Sequence, residues 1–410
     1  MDRNLIEQPM DPHLLNGLKV IDCATVIAAP AAAVMLADFG AEVIKIEQPG
    51  AGDMLRMLAD IPTTPDAQTN WFWQLDGRNK KSLVLDLKNA AGIDILQRLI
   101  SQADVFITNH PYPVRHALGV TYDEVRALNE NIIYASLTAY GEQGPERDRK
   151  GFDQLAYWAR SGLMELMREP DTLPTQGLPD MGDHPTAVAL FAGIMTALLK
   201  RERSGEGSFV HTSLLANGLW SAAGIAQGAM AGGNMPAYRE TNRVNGAMLR
   251  PYKTADNRWL QLNMVRDESL FAMTLAAMDA LDLLTDPRFD TPEKAWQNRA
   301  ALGDCLQAVI ETSNAQHWLQ KFAEFDVPVN LVARIEDTLT DQQIQQNQMT
   351  VAAPDNMHLP QLIKHPVNVS SAPQVAPSRA PELGEHAEEI LTSLGYSSAE
   401  IAQLRHSGVV

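Results

Sequence analysis

The sequence predicts an α/β fold: a doubly wound, Rossmann-like large domain with a smaller α+β domain attached. Three observations carry that prediction. Short apolar segments alternate with helical ones from Lys19 to Ser136, the pattern of parallel βαβ units. The composition shifts at Gly232-Gly233-Asn234-Met235-Pro236 to a polar, turn-rich stretch with Arg239, Asn242, Arg243 and Asn245, which suits a crossing between domains. A proline-rich tail then leads into an amphipathic segment, Glu385 to Leu394, that completes the first domain.

Taken in order, Lys19 to Asp22 is a strand, Pro30 opens an alanine-rich helix that Gly40 ends, and Glu42 to Glu47 is the next strand. The first turn, Ala24-Thr25-Val26-Ile27-Ala28-Ala29, lacks the glycines that let a backbone approach a dinucleotide pyrophosphate. Glu47 is therefore structural rather than a ribose ligand. Strands follow at Ser82 to Asp86, Asp104 to Thr108 and Ile132 to Ser136, with helices near Gly92 to Ile100 and Tyr122 to Leu128. Thr121 and Glu124 form a capping box for the latter. A strand at Phe209 to Ser213 precedes a small-residue helix from Ala216 to about Ala231. The small domain is expected to hold a strand from Trp259 to Asn263 and helices at Glu268 to Leu281 and Arg299 to Glu311, with Pro328 to Val332 starting the return. The expected boundaries are 1–230 for the large domain, 231–244 for the linker, 245–326 for the small domain and 327–410 for the return segment.

The chain has 410 residues, 45% hydrophobic and 20% charged, enough for two ordinary globular domains. A net charge of -17 argues against nucleic acid or an anionic membrane as the main partner, while leaving room for a local basic patch that binds an anionic ligand. Cys23 and Cys305 are far apart and have no metal-ligand spacing, so no metal is expected. Met1 to Gln8 lacks an apolar signal core and no run is long enough to span a bilayer, which points to the cytoplasm.

One segment carries chemistry. Leu178-Pro179-Asp180-Met181-Gly182-Asp183-His184-Pro185 runs into the apolar stretch Ala187 to Leu199, closed by Lys200, Arg201, Arg203 and the turn Ser204-Gly205-Glu206-Gly207. Asp is a favoured N-cap, and the positive end of a helix favours its ionised form, so Asp183 is expected to stay charged at neutral pH, as a nucleophile for acyl groups would need. From the local pattern alone the commoner reading is a cap and nothing more. Arg78, Lys80 and Lys81 cluster where they would suit a phosphate or simply form a solvated basic turn. Asn109 falls at the C-terminal end of a parallel strand, where ligands bind in open α/β sheets.

The chain resembles the class III CoA-transferases nearly end to end. The resemblance rests on ordered matches: Leu15 to Asp22, Leu36 to Glu47, Pro49-Gly50-Ala51-Gly52-Asp53, Lys80 to Leu87, Ala103-Asp104-Val105, Asn109, Gly141 to Pro145, Gly182-Asp183, Ser204 to Gly207 and Arg379 to His386. It implies that Asp183 is a covalent nucleophile, with Glu47, Asp53 and Asp153 as lesser candidates; Asp53 reads as part of a solvated, glycine-rich turn. It implies coenzyme A or acyl-CoA as substrate, with no permanently bound cofactor, a free carboxylic acid as partner, and an interlocked homodimer. Val26 and Ile27 match the loop covering CoA, and Asn109 and Lys150 match CoA contacts. Gln48 and Ala117 stand where formyl-CoA transferase has arginines, so Arg115 or His116 is expected to take up the phosphate grip. Phe152 stands where the related α-methylacyl-CoA racemases carry a basic histidine, which weighs against a racemase. The Tyr157 to Gly162 segment looks like that of transferases for 2-hydroxy or aryl acids, or is only core. Two rivals of a different kind are a nicotinamide-dependent oxidoreductase, opposed by the missing glycines, and a catalytically silent acyl-CoA-binding relative, opposed by Asp183.

Overall fold

The computed structural model describes residues 13–169, 172–240, 246–247, 249–262 and 268–410. The readings of Met1 to Gln8, Asn242, Arg243, Asn245 and Asn263 lie outside them. The chain divides into two compact units, one of Met1–Glu165, Thr175–Ala226 and Gln346–Val410, the other of Leu166–Pro174 and Gln227–Gln345.

The large unit is built on six parallel strands: β1 (Lys19–Cys23), β2 (Glu42–Glu47), β3 (Lys80–Val84), β4 (Val105–Thr108), β5 (Ile133–Thr138) and β6 (Ser208–Ser213). Their order is β3-β2-β1-β4-β5-β6, so the winding reverses between β1 and β4. Successive side chains point to opposite faces, and the central strands β1, β4 and β5 are covered on both, which is why they are buried nearly throughout, whereas the edge strand β6 is only partly covered. Val20, Val43, Val105, Ile107, Ile133 and Ala135 pack with the helices Ala28–Asp38 and Asp183–Ser204. Ile21, Ile44, Ile46, Phe106 and Tyr134 pack with helix Ala90–Ser101 and with Ala387, Ile390 and Leu391 of the C-terminal helix Ala387–Ser393. Helix Ala28–Asp38 is buried at all eleven positions, which explains its run of alanines. The capping box forms as expected, with Glu124 accepting the Thr121 N–H at 2.9 Å.

The other unit carries the antiparallel sheet β7 (Pro251–Lys253), β8 (Trp259–Leu262) and β9 (Val329–Leu331). Strand β9 pairs with β8, Leu262 opposite Val329, so the segment expected to start the return to the large domain still belongs to the small unit. Helix Ala315–Glu324 leads into it and buries Trp318 and Phe322 in the same core as Tyr252 and Leu260. The single helix expected from Ala216 to Ala231 is two, Leu214–Ser221 and Ala223–Met230.

Behind the C-terminal end of β1 lies a buried charge network. Lys45 Nζ is 2.7 Å from Asp53 Oδ2 and 3.7 Å from Asp22 Oδ1, and it donates to the carbonyl of Ala24. Lys80 donates to Asp22 Oδ2 and to the Pro30 carbonyl, both at 2.8 Å. Asp53 Oδ1 accepts the backbone N–H groups of Val26 at 3.0 Å and Leu55 at 2.9 Å. Burial opposes the Lys45 charge, yet Asp22 and Asp53 outweigh it and its pKa lies above the ordinary lysine value. Asp53, expected in a solvated turn, is 3% exposed; burial opposes its charge, but Lys45 and the Leu55 and Val26 N–H groups hold its pKa below the ordinary value.

Replacing Asp53 with Ala would leave Lys45 buried with its nearest counter-charge gone, and we expect a loss of about 3–5 kcal/mol. The midpoint of guanidinium unfolding should fall accordingly, while removing the exposed pair partner Glu389 should leave it nearly unchanged.

Candidate active site

A cavity of about 220 Å³ opens where the strand order reverses. Thr25, Val26, Ile27 and Ala28 line it from beyond the end of β1, Asn109, His110 and Pro111 from beyond the end of β4, and Leu137, Thr138 and Ala139 from the end of β5 and the residue after it. Arg147, Arg149, Lys150, Gly151 and Phe152 form another wall, and Asp183 and Leu214 complete it.

The loop after β1 is pinned from two sides. Asn109 accepts the Thr25 N–H at 2.9 Å and donates to the Thr25 carbonyl at 2.7 Å. Val26 sits at φ 68°, a left-handed conformation that a β-branched residue rarely adopts, and its N–H is held by Asp53. Backbone strain is thus stored at the cavity wall and sustained by the charge network beneath it. His110 is kept neutral, its pKa lowered to about 4 by burial and by the charges of Lys45 and Arg115.

Asp183 is the first residue of helix Asp183–Ser204, and Gly182, not Asp183, occupies the N-cap. The expected capping role fails because a cap at Asp183 would have to accept the N–H of Pro185, which has none, or of Thr186, which bonds to the Gly182 carbonyl at 3.3 Å; the Asp183 and His184 N–H groups bond to the carbonyl of Asp180, at 2.9 and 3.1 Å. Its charge state also differs from expectation. Burial first, then the carboxylates of Asp153, Asp180 and Asp76, raise its pKa to about 7 against the opposing charge of His184. The Asp183 carboxylate is therefore poised near neutrality rather than fully ionised.

The segment before the helix is set by close packing. Gln154–Ala159 is a π-helix whose Tyr157 and Trp158 are core residues. A Cβ on Gly182 would stand 2.6 Å from Cγ of Tyr157, and one on Gly177 2.1 Å from Cε2 of Trp158, so only glycine lets this loop lie on the two rings. Asp153 accepts the Gly182 N–H at 3.3 Å and Tyr157 shares a 2.6 Å hydrogen bond with Ser221. Asp153, a candidate nucleophile on sequence grounds, is a buried anchor for this loop.

Of the residues singled out from sequence, Val26, Ile27, Asn109, Lys150, Phe152 and Asp183 meet at the cavity. Arg78, Lys80 and Lys81 do not line it, and the reading of them as phosphate ligands is corrected. Arg78 is buried and paired with Asp38 at 2.7 Å, Lys80 is held by Asp22, and Lys81 pairs with Glu42 and Glu389. Arg78 and Lys80 are buried cations already matched by carboxylates and have no charge to offer a ligand, whereas Lys81 is partly exposed and lies outside the cavity lining. Glu47 is structural as expected, bonded by Arg56, Ser82 and the Asp53 N–H. Arg115 is buried against Ser136 and Glu142, and neither it nor His116 lines the cavity. Arg147, Arg149 and His110 do, and sequence reasoning misses them; the signals are the run Glu146-Arg147-Asp148-Arg149-Lys150 before Gly151 and the position of His110 next to Asn109.

Comparison with known proteins points the same way. The model of the family described as CoA-transferase family III matches residues 15–387. The chain is 31% identical to an (R)-2-hydroxy-4-methylpentanoate CoA-transferase of Clostridioides difficile over 97% of its own length and 99% of that protein's. It is also 31% identical to a cinnamoyl-CoA:phenyllactate CoA-transferase of Clostridium sporogenes, over 96% of each. A crystal structure of a CAIB/BAIF family protein from Brucella suis superposes with a TM-score of 0.81 at 26% identity, covering 93% of this chain and 99% of that one.

The raised pKa of Asp183 has a thermodynamic signature. A carboxyl that binds its proton more tightly when folded penalises the folded state as pH climbs from its ordinary value of 3.8, and the penalty is complete above about 7. Asp183→Asn removes it. Thermal unfolding should show the variant more stable than the parent at pH 8, with the gain shrinking as pH falls from 7 toward 4.

Proposed function

This chain belongs to CoA-transferase family III, is a CoA-transferase acting on acyl-CoA, and from that premise we propose that it transfers CoA to a free carboxylic acid through a covalent intermediate on Asp183. The observation that carries the reading is the placement of Asp183, a carboxyl poised near neutrality at the wall of a cavity that Arg147, Arg149 and Lys150 also line.

The steps balance without an external acid or base. An Asp183 oxygen attacks the thioester carbonyl carbon, the C–S bond breaks, and CoA leaves as thiolate from a mixed anhydride. The thiolate attacks the Asp183 side-chain carbonyl carbon and expels the donor as a free carboxylate, leaving an aspartyl-CoA thioester. The acceptor carboxylate attacks that thioester and regenerates thiolate and a second anhydride. The thiolate then attacks the acceptor carbonyl and releases Asp183. Val26, Ile27, Asn109, Lys150 and Phe152 are the proposed CoA-side residues, with Arg147 and Arg149 supplying the cations in place of Arg78, Lys80 and Lys81. Asn109 acts by shaping the loop, since one donor and one acceptor of its amide already hold Thr25. The walls of Val26, Ile27, Leu137, Phe152 and Leu214 support acyl groups with a branched or aryl body.

We also infer a homodimer, supported by Leu219 and Trp220 standing 42% and 80% exposed on an apolar helix and by a following helix, Ala223–Met230, with no buried residue. No helix among the described residues is long and apolar enough to cross a membrane.

Asp183→Ala should abolish transfer while leaving CoA binding measurable by calorimetry. Borohydride added to the parent enzyme with acyl-CoA should convert one aspartyl thioester to an alcohol, located at Asp183 by peptide mass spectrometry. Turnover by the Ala variant would refute the assignment.

A racemase would exchange the α-proton, and Phe152 cannot take one. Incubation with a 2-methylacyl-CoA in deuterated water should leave the α-carbon unlabelled, whereas a free acid acceptor should draw CoA across. Label entering without an acceptor would reverse this reading and point to His110 as a base.

A further inference from the structure

The residue after the nucleophile has no role in the steps above, yet it is the cation in an otherwise acidic corner. His184 is the second residue of the helix that Asp183 begins. Its Nε2 lies 3.4 Å from Oδ1 of Asp76, which sits in the last turn of helix Trp71–Gly77. Asp76 is 3% exposed and its other oxygen, Oδ2, is buried without a hydrogen-bond partner. A carboxylate so enclosed holds a protonated imidazole more strongly than a solvated one would. Asp180 belongs to the turn before the helix, where its carbonyl accepts the N–H groups of both Asp183 and His184, and Asp183 directly precedes His184. Burial works against the His184 charge, although its side chain is 37% exposed; Asp76, by charge and hydrogen bond, and then Asp180 and Asp183 raise its pKa to about 9. Of the charged groups acting most strongly on Asp183, three are the carboxylates of Asp153, Asp180 and Asp76, and the fourth is His184.

We propose that His184 is a positioning residue for the nucleophile: tied to Asp76, its imidazolium offsets the carboxylates crowding Asp183, so that Asp183 meets the thioester as an anion. This rests on Asp183 being the nucleophile. A purely structural histidine would leave the ionisation of Asp183 unchanged when replaced by a residue of similar size.

The test compares the parent protein with His184→Gln, which removes the charge, and His184→Lys, which keeps it. The first readout is kcat/KM against pH. In His184→Gln the acid limb should move by about one pH unit to higher pH, with KM for acyl-CoA unchanged, and His184→Lys should hold the limb near the parent's. The second readout needs no turnover: protein labelled with [4-13C]aspartate, its Asp183 signal identified by loss in Asp183→Asn, is titrated by NMR. The midpoint should move with the limb. Superimposable titrations, or a loss of rate equal at every pH, would overturn the proposal. Should His184→Gln not fold, His184→Lys decides, since a limb or midpoint displaced upward despite the retained cation is the contrary result. If the parent protein moves no CoA, the functional reading fails, and the NMR titration still settles the part played by His184.

Discussion

The contact between Lys45 and Asp53 is the constraint on which the cavity depends. Burying two charges costs more than their attraction returns unless further bonds satisfy them, and here those bonds are backbone groups of the loop that forms the cavity wall. Lys45 takes the Ala24 carbonyl, and Asp53 takes the Val26 N–H. The polar demand of the network thus fixes a backbone turn that Val26 would not adopt unaided. The glycine-rich route to a tight strand–helix turn is replaced by an electrostatic one.

Topology does the rest. Because the winding reverses between β1 and β4, the loops leaving those strands turn apart and leave a crevice. Helix Ala28–Asp38 packs on one side of the sheet beside helix Asp183–Ser204, which carries Asp183 to the same end as those loops. A residue from the middle of the chain therefore faces Thr25 to Ala28 from its beginning.

Much of this is legible in the sequence where one local rule decides. The alternation of strands and helices, the missing glycines after β1, the capping box at Thr121 and the structural nature of Glu47 all follow from pattern. The candidate residues Val26, Ile27, Asn109, Lys150 and Phe152 come from resemblance, and they line one cavity. What fails depends on partners distant in sequence. Nothing near Arg78 or Lys80 announces that Asp38 and Asp22 neutralise them, and nothing near Asp53 announces Lys45. The state of Asp183 is misjudged for the same reason. A helix N-terminus favours the anion, but Asp153 and Asp76 belong to other elements, and burial with their charges outweighs the helix. Strand β9 is misassigned because an apolar triplet does not reveal which sheet it joins.

The glycine contacts around Tyr157 and Trp158 bear on how such a site could diversify. Gly177 and Gly182 lie on the two rings, and a Cβ on Gly218 would stand 2.2 Å from the Tyr157 carbonyl, so the π-helix is gripped on both sides by positions that accept no side chain. The π-helix and the loop entering the Asp183 helix are thereby mechanically one piece. Any change of ring size at Tyr157 or Trp158 would be transmitted to the carboxylate. Leu137, Ala139 and Leu214 line the cavity outside that grip. On the proposed reading, new acid preferences are thus most accessible to an engineer, or to drift, through the side chains of the β5 end and the helix after β6, where the cavity can be recut without disturbing the segment that positions Asp183.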